Sequence, residues 1–296
     1  MATDSAVDGL SARGIFDEAQ QAAARHSRPA QAASAVVDIS KHSISINRFS
    51  ISGVSRIRHG FLSTLLEPMF AAQTVERAVA ESREAAGKLQ ALGIVKGVHI
   101  ELDQPQNGGE GIDVHFSCLD GSRYAIRTGV NVGDDEGTAN VTGQLNNIWG
   151  GGESLEANYS RGSKTQAAFQ GLLSVPVNAD PKRQLRLCAS QAAMDSRPYS
   201  AHDEIRRTLS TAYRASGFNG TTHELQYLMS WRDICNLGLD ASPTLRGEAG
   251  HSLKSAIAYT LAHDDRDSHT VPTRGSLVKL STELAGLLGD VRFAKT

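Results

Sequence analysis

One short segment, HDDRDSH from His263 to His269, holds enough carboxylates and imidazoles to bind a metal ion or exchange protons. The residues that follow favour a simpler interpretation, because PTRG comes soon after and Pro and Gly are typical of turns. We therefore interpret the segment as a solvated loop between strands. The charges from Glu204 to Arg207 are interpreted in the same way, as groups that can line the lumen of a curled sheet.

Other patterns that carry chemistry are weak or absent in the sequence. Serines and histidines occur without a GxSxG turn or a paired base, so a hydrolase triad has no support. Cys118, Cys188 and Cys235 lie far apart without a CxxC pair, which argues against a zinc knuckle or a disulfide framework. We expect Cys188 and Cys235 to be packing residues within strands. We predict no catalytic residue, no metal site and no cofactor.

The triple glycine Gly150–Gly152 could belong to a phosphate-binding loop, a linker or a corner between strands. A phosphate loop needs a Lys after the glycines and a helix behind them, yet Glu153 and a strand-like segment follow. Glycines permit positive φ and a tight reversal, and Trp149 is an aromatic side chain suited to a membrane interface. The pattern predicts a corner between paired strands.

Composition limits the possible partners and compartments. The chain has 296 residues and three cysteines. Its formal charge is only −2, so no basic field predicts a nucleic-acid partner. No apolar run approaches the roughly 20 residues of a membrane-spanning helix, and the N-terminus has no apolar signal-peptide core. The mean hydropathy of −0.28 leaves membrane β-barrels open, because their strands alternate lipid-facing and lumen-facing residues.

The first 120 residues are predicted to contain a leader and a small mixed domain. Residues 1–43 are rich in Ala, Ser, Gln and Asp with little periodicity, which predicts a disordered leader. A strand then begins at Ile44, a short helix is expected to end at Pro68, and a second helix begins after an N-cap at Thr74. Two strands, VHIELDQ and IDVHFSCLD, complete a β-α-α-β-β unit over residues 44–120.

From Tyr124 onward helical periodicity is replaced by long alternating segments. In HELQYLMSWRDICN, the apolar residues Leu225, Tyr227, Met229 and Trp231 face one way. The polar residues Glu224, Gln226, Ser230 and Arg232 face the other way. We count nine such segments of about 9–14 residues, and a tilted membrane strand needs about 9–11. A soluble β-sandwich also alternates, usually with shorter strands, so periodicity alone leaves both folds possible.

Several separated motifs together resemble one family. The run YAIRTG and the following turn NNIWGGGE resemble the first strands of the β-barrel core subunit of the mitochondrial sorting and assembly machinery, in the superfamily of BamA. The segment DDRDSHTVPTRG resembles a loop of that family, and the strand after it also resembles the family. The corner motif comprises Asn147, Trp149, Gly150, Gly151, Gly152 and Glu153. The loop motif comprises Asp265, Arg266, Asp267, Pro272, Thr273, Arg274 and Gly275.

The resemblance implies a mainly β fold: a POTRA-like domain at 44–120 and the N-terminal half of a transmembrane β-barrel at 121–296. It also implies a factor that inserts and folds β-barrel precursors in the mitochondrial outer membrane, with the POTRA-like domain in the intermembrane space. The implied partners are β-barrel precursors, other subunits of the machinery and membrane lipid. A client strand would pair with the first barrel strand, which holds Tyr124, Ala125, Ile126, Arg127, Thr128, Gly129, Val130, Asn131 and Val132.

Members of that family carry sixteen barrel strands, whereas about nine precede Thr296 and a tenth begins at VRFAK. An open sheet in lipid would leave two edges unpaired. We therefore expect this polypeptide alone not to be a competent insertase, being a fragment, a truncated gene model or a product that needs another chain. Two alternatives stay open: a bacterial-type outer-membrane barrel that translocates polypeptides, and a soluble β-rich binding module.

Overall fold

The computed structural model describes residues 45–103, 111–133, 136–163, 165–217 and 219–296. The leader predicted over residues 1–43 lies outside these ranges, as does Ile44, where the first strand was expected to begin. The described residues belong to one compact unit. In the part of the chain that the structure describes, no helix is long and apolar enough to cross a membrane.

An N-terminal α/β region precedes the large sheet and has the predicted β-α-α-β-β order. Its elements are β1 (Ile46–Ser52), α1 (His59–Phe70), α2 (Val75–Ala91), β2 (Val95–Asp103) and β3 (Ile112–Asp120). The sheet order is β1-β3-β2, with β1 parallel and β2 antiparallel to the central strand β3. Because β3 is central, β1 and β2 are the two edge strands of this sheet.

The two helices cover one face of this small sheet and form the main buried core. Phe116 and Leu89 are completely buried, and Phe49 meets Phe116 edge to face with ring centroids 5.0 Å apart. Burial of one large apolar side chain contributes about 1.5–3 kcal/mol. This core therefore gives the α/β region its own hydrophobic stabilisation.

The helix ends follow the predicted signals, with one correction. Thr74 caps α2 through its Oγ1, which accepts a hydrogen bond from the Arg77 amide at 3.4 Å. Gly93 follows the C-cap with φ +69°, and Glu84 pairs with Lys88 at 2.9 Å. The prediction that Pro68 ends α1 is wrong, because Pro68 lies inside the helix, which continues to Phe70. It lies in the last turn, where the lost amide donor disturbs only one hydrogen bond.

The rest of the chain forms one ten-stranded antiparallel sheet, in which strand order follows chain order. Its strands are β4 (Tyr124–Gly133), β5 (Glu136–Asn146), β6 (Ser154–Gly162), β7 (Thr165–Val177), β8 (Asp180–Asp195), β9 (Asp203–Ser216), β10 (Thr221–Cys235), β11 (Gly250–Asp264), β12 (Leu277–Gly289) and β13 (Phe293–Lys295). Two short helices, α3 (Arg197–Ser200) and α4 (Pro243–Gly247), lie in connections. Nine long strands and the beginning of a tenth confirm the sequence interpretation.

Side chains alternate between two faces of this sheet across all its long strands. The strand register places Leu225 opposite Tyr213 and Tyr259, and Trp231 opposite Leu253, so these side chains share one face. We call this the apolar face. Glu224, Gln226, Ser230 and Arg232 lie on the opposite, polar face, as the sequence predicted.

The expectation that the charges from Glu204 to Arg207 line one lumen is wrong. Glu204 and Arg206 lie on the polar face, where their side chains pair at 2.6 Å. Arg207 is paired with Trp231 in the register and therefore lies on the apolar face, where it bonds Gln191. Consecutive residues of a strand point to opposite faces, so Arg206 and Arg207 cannot line one lumen together.

The sheet does not close on itself. β4 forms one edge and β13 the other, and each has a single strand neighbour within the described residues. The short β13 pairs only three residues with β12, from Glu283 to Ala285. The unpaired side of β4 is therefore a full-length strand edge.

Candidate functional site

All nine residues predicted to pair with a client strand lie in β4. The Asn146 amide donates to the Arg123 carbonyl at 2.7 Å, which identifies a hydrogen-bonded pair just before the register of β4 with β5. Such pairs alternate along an antiparallel ladder. The backbone groups of Ala125, Arg127, Gly129 and Asn131 therefore bond β5. Those of the intervening residues point to the free edge, and these residues are Tyr124, Ile126, Thr128, Val130 and Val132.

The residues with free backbone groups are also the residues of the apolar face. Tyr124, Ile126, Val130 and Val132 are 73–85% exposed. In hydrocarbon each unpaired backbone group costs several kcal/mol, so this edge gains stability from any strand that pairs with it. Gly129 carries no side chain on the polar face, and a Cβ there would lie 2.5 Å from the Asn140 Oδ1.

The predicted corner joins β5 to β6 and is organised around Glu153. This side chain is 2% exposed, and its Oε2 accepts hydrogen bonds from the amides of Gly151 at 2.9 Å and Trp149 at 3.3 Å. Asn147 adds a further contact, because its Oδ1 accepts from the Gly152 amide at 3.1 Å. The carboxylate thus holds the turn from inside, as a buried hydrogen-bond acceptor.

The corner also anchors the α/β region, which the sequence did not predict. The Arg58 guanidinium contacts Glu153 Oε1 at 3.0 Å, and the Arg58 amide donates to the Gly150 carbonyl at 2.7 Å. The Asn147 side-chain amide donates to the Arg56 carbonyl at 2.7 Å. Arg56 and Arg58 lie about 95 residues before the corner, and no local pattern marks them. We call these contacts the corner anchor.

Each corner glycine is needed for a different structural reason. Gly150 adopts φ +84° and a Cβ there would lie 2.9 Å from the Arg58 amide nitrogen. Gly152 adopts φ +77° and packs against Leu92, at the end of α2. Gly151 has no positive φ, but a Cβ would lie 2.4 Å from the Arg58 guanidinium. The triple glycine therefore permits both the turn and the close approach of the α/β region.

The loop motif lies in the exposed connection from β11 to β12 and is held by its own carboxylates. Asp267 accepts hydrogen bonds from the Thr273 hydroxyl, the Thr273 amide at 3.0 Å and the Arg274 amide at 3.2 Å. These bonds, the hydroxyl first, lower the pKa of Asp267 to about 2. Gly275 closes the loop with φ +90°. Asp267, Thr273, Arg274 and Gly275 are thus brought together within one loop.

The remaining predicted residues of the loop motif are placed around this centre. The Arg266 guanidinium binds Asp264 through two bonds of 2.8 Å, which raises the pKa of Arg266. The Asp265 amide donates to the Ser276 carbonyl at 2.9 Å, and Pro272 is exposed beside Thr273. Among residues 45–103, 111–133, 136–163, 165–217 and 219–296, no group of three or more His, Cys, Asp or Glu side chains could hold a metal ion.

Comparison with known proteins gives a family match and several similar proteins. Residues 147–296 match the Omp85 superfamily domain. The chain is 29% identical to the SAM50-like protein of Schizosaccharomyces pombe over 86% of this chain and 56% of that protein. It is also 29% identical to the human sorting and assembly machinery component 50 homolog, over 84% of this chain and 54% of that protein. The chain spans little more than half the length of these curated relatives.

Solved structures show where this fold occurs. BamA from Haemophilus ducreyi lacking POTRA domains 1–3 superimposes with a TM-score of 0.64 at 15% identity, over 83% of this chain and 49% of that chain. CdiB from Acinetobacter baumannii gives a TM-score of 0.51 at 12% identity, over 85% of this chain and 47% of that chain. The ten-stranded sheet therefore resembles the barrel of BamA in fold, although it is not closed.

Proposed function

This chain belongs to the Omp85 superfamily, and from that membership we propose that it is part of a β-barrel assembly factor of the mitochondrial outer membrane. The factor receives β-barrel precursors, and helps them to insert and fold in the membrane. The printed names of its curated relatives, components of the sorting and assembly machinery, support the mitochondrial assignment. No covalent step is needed for this function.

The single observation that carries the proposal is the free edge of β4. Five alternate residues from Tyr124 to Val132 point their backbone donors and acceptors away from β5, on a strand with highly exposed side chains. An extended client strand can add to such an edge by main-chain hydrogen bonds. Lipid offers no hydrogen-bond partner to these backbone groups, whereas a client strand does, so pairing with a client strand is favoured over contact with lipid at the edge.

The α/β region is proposed to be a POTRA-like domain over residues 44–120, followed by the N-terminal half of a transmembrane barrel over 121–296. The corner anchor joins this region to the end of the sheet where β4 begins. That position supports delivery of precursors to β4 from the intermembrane space. Other subunits of the sorting and assembly machinery, precursor proteins and membrane lipid are the proposed partners.

A proline at a free-edge position tests the proposal. Val130→Pro removes one edge donor, and it leaves the β4–β5 hydrogen bonds intact because the Val130 amide faces away from β5. Val130→Ala is the matched control. When each substitution is introduced into the endogenous gene, porin assembly is expected to continue in the Ala variant and to fail in the Pro variant.

The result can be interpreted only if the variant keeps its fold. Carbonate-resistant membrane association and protease protection measure whether it does. Equal porin assembly with a membrane-associated Val130→Pro variant and with Val130→Ala would contradict client pairing at this edge. Thr128→Pro and Thr128→Ala repeat the comparison one free-edge position away.

A further inference from the structure

A groove on the apolar face has a floor of small residues. Gly143, Ala157, Gly171 and Ala189 are directly opposite one another across β5, β6, β7 and β8. Neighbouring strands are about 4.8 Å apart, so this row is about 14 Å long. The groove has a volume of about 630 Å³, within the range of small-molecule sites.

The wall of the groove is aromatic and ends in a cation. One row above the floor, Tyr159 and Phe169 pack with ring centroids 4.7 Å apart. The same row continues through Gln191 to Arg207, which is paired with Trp231 on the next strand. Aromatic side chains concentrate where membrane meets water, so this row marks an interface level.

Arg207 is the unusual member of this row. Its Nε donates to the Gln191 side-chain oxygen at 3.1 Å, which fixes the guanidinium beside the groove. Within the ranges that the structure describes, Arg207 forms no ion pair with a carboxylate, whereas Arg206 pairs with Glu204. A cation on a lipid-facing surface costs little near an interface and about 2–4 kcal/mol at the midplane. Its natural counter-ion at that level is a phosphate group of the membrane.

From this geometry we propose that the groove binds an anionic phospholipid. One acyl chain lies on the Gly143–Ala189 floor against Tyr159 and Phe169, and the phosphate contacts the Arg207 guanidinium. A neutral lipid fits the apolar floor equally well but brings a compensating cation. The site therefore distinguishes lipids by headgroup charge. This inference rests on the proposed membrane function, because it requires the apolar face to meet lipid.

The two tryptophans of the chain provide a direct assay. Trp149→Phe leaves Trp231, the neighbour of Arg207, as the reporter. The protein is reconstituted in phosphatidylcholine bilayers that contain either dibrominated phosphatidylglycerol or dibrominated phosphatidylcholine, whose bromines quench nearby tryptophan. Phosphatidylglycerol is expected to bind about fivefold better than phosphatidylcholine beside Trp231, as one basic residue near the surface predicts.

Three variants separate the site from general membrane effects. Arg207→Gln should remove the preference, and Gly171→Leu should reduce it by filling the floor. A Cβ at Gly171 meets nothing closer than 4.0 Å, so the backbone tolerates this change. Arg206→Gln makes the same charge change one residue away on the polar face and should keep the preference.

The possible outcomes are distinct. Equal quenching by the two brominated lipids, or an unchanged preference in Arg207→Gln, would overturn the lipid site while leaving the proposed function standing. Absence of quenching by either lipid would show that Trp231 is not in the bilayer, and would contradict the proposed function as well.

Discussion

The corner anchor allows a quantitative prediction about how the α/β region is held to the sheet. The perturbations are the single variants Arg58→Gln and Glu153→Gln and the double variant that combines them. The two side chains meet at 3.0 Å, with Arg58 57% exposed and Glu153 2% exposed. Glu153 cannot turn to water when its partner is removed, whereas Arg58 can.

The magnitude follows from this asymmetry. Loss of one partner of a fully buried ion pair costs about 3–5 kcal/mol. Because Arg58 is half exposed, we expect about 2–3 kcal/mol for Arg58→Gln. Glu153→Gln also weakens the hydrogen bonds from Gly151 and Trp149, so its cost should be at least as large. The double variant should cost less than the sum, with a coupling energy of about 1–3 kcal/mol.

The assay is native-state hydrogen exchange of peptides that span residues 147–153, which gives the free energy of local opening. The matched control is the cycle for Glu84 and Lys88, a pair at 2.9 Å on the surface of α2. Exposed helix pairs of this kind couple by about 0.3–0.5 kcal/mol. Additive effects of Arg58→Gln and Glu153→Gln, or a coupling no larger than the control, would refute the anchor.

Three further predictions follow from the same structure. Gly150→Ala should destabilise the protein by about 1–3 kcal/mol in urea unfolding, because Gly150 has a positive φ and lies close to the Arg58 amide. The control Gly143→Ala should change stability by less than about 0.5 kcal/mol. Equal effects of the two substitutions would contradict the strain at Gly150. The pKa of Asp267 is lowered to about 2 in the fold, so its stabilisation is complete above the unfolded value of about 3.9 and is lost as pH falls towards 2. Asp267→Asn should therefore reduce the loss of stability over that pH window, and an unchanged pH profile would contradict the hydrogen bonds of this carboxylate. Burial raises the pKa of the Cys118 thiol. Iodoacetamide should therefore alkylate Cys118 in the folded protein more slowly than it alkylates free cysteine at the same neutral pH. Equal rates would be inconsistent with that burial.

Period-two alternation made the large sheet predictable. A strand such as β10 places every second side chain on one face, so the positions of Leu225 and Trp231 follow from spacing alone. The order of the strands also follows, because each long segment pairs with the next one along the chain. The capped helix α2 was predictable for the same reason, since its signals are local.

Contacts between distant segments were not predictable. Arg58 and Glu153 are 95 residues apart, and neither has neighbours that indicate an ion pair. The motif did identify the glycines, but their close contact with Arg58 and Leu92 depends on how the α/β region packs. The error at Arg207 had another cause: four consecutive charged or apolar residues were treated as one surface, although a strand divides them between two faces.

The most direct test of client pairing at β4 is disulfide cross-linking during porin import. Single cysteines are placed along β4, with Cys118, Cys188 and Cys235 replaced by serine, and the last strand of the porin precursor carries one cysteine. Client pairing predicts cross-links to β4 at positions that shift in register with the precursor cysteine, and none to control cysteines placed at Leu185 or Leu187 within the paired strand β8. A precursor that is held by the protein and cross-links to β8 as readily as to β4, or never to β4, would contradict it.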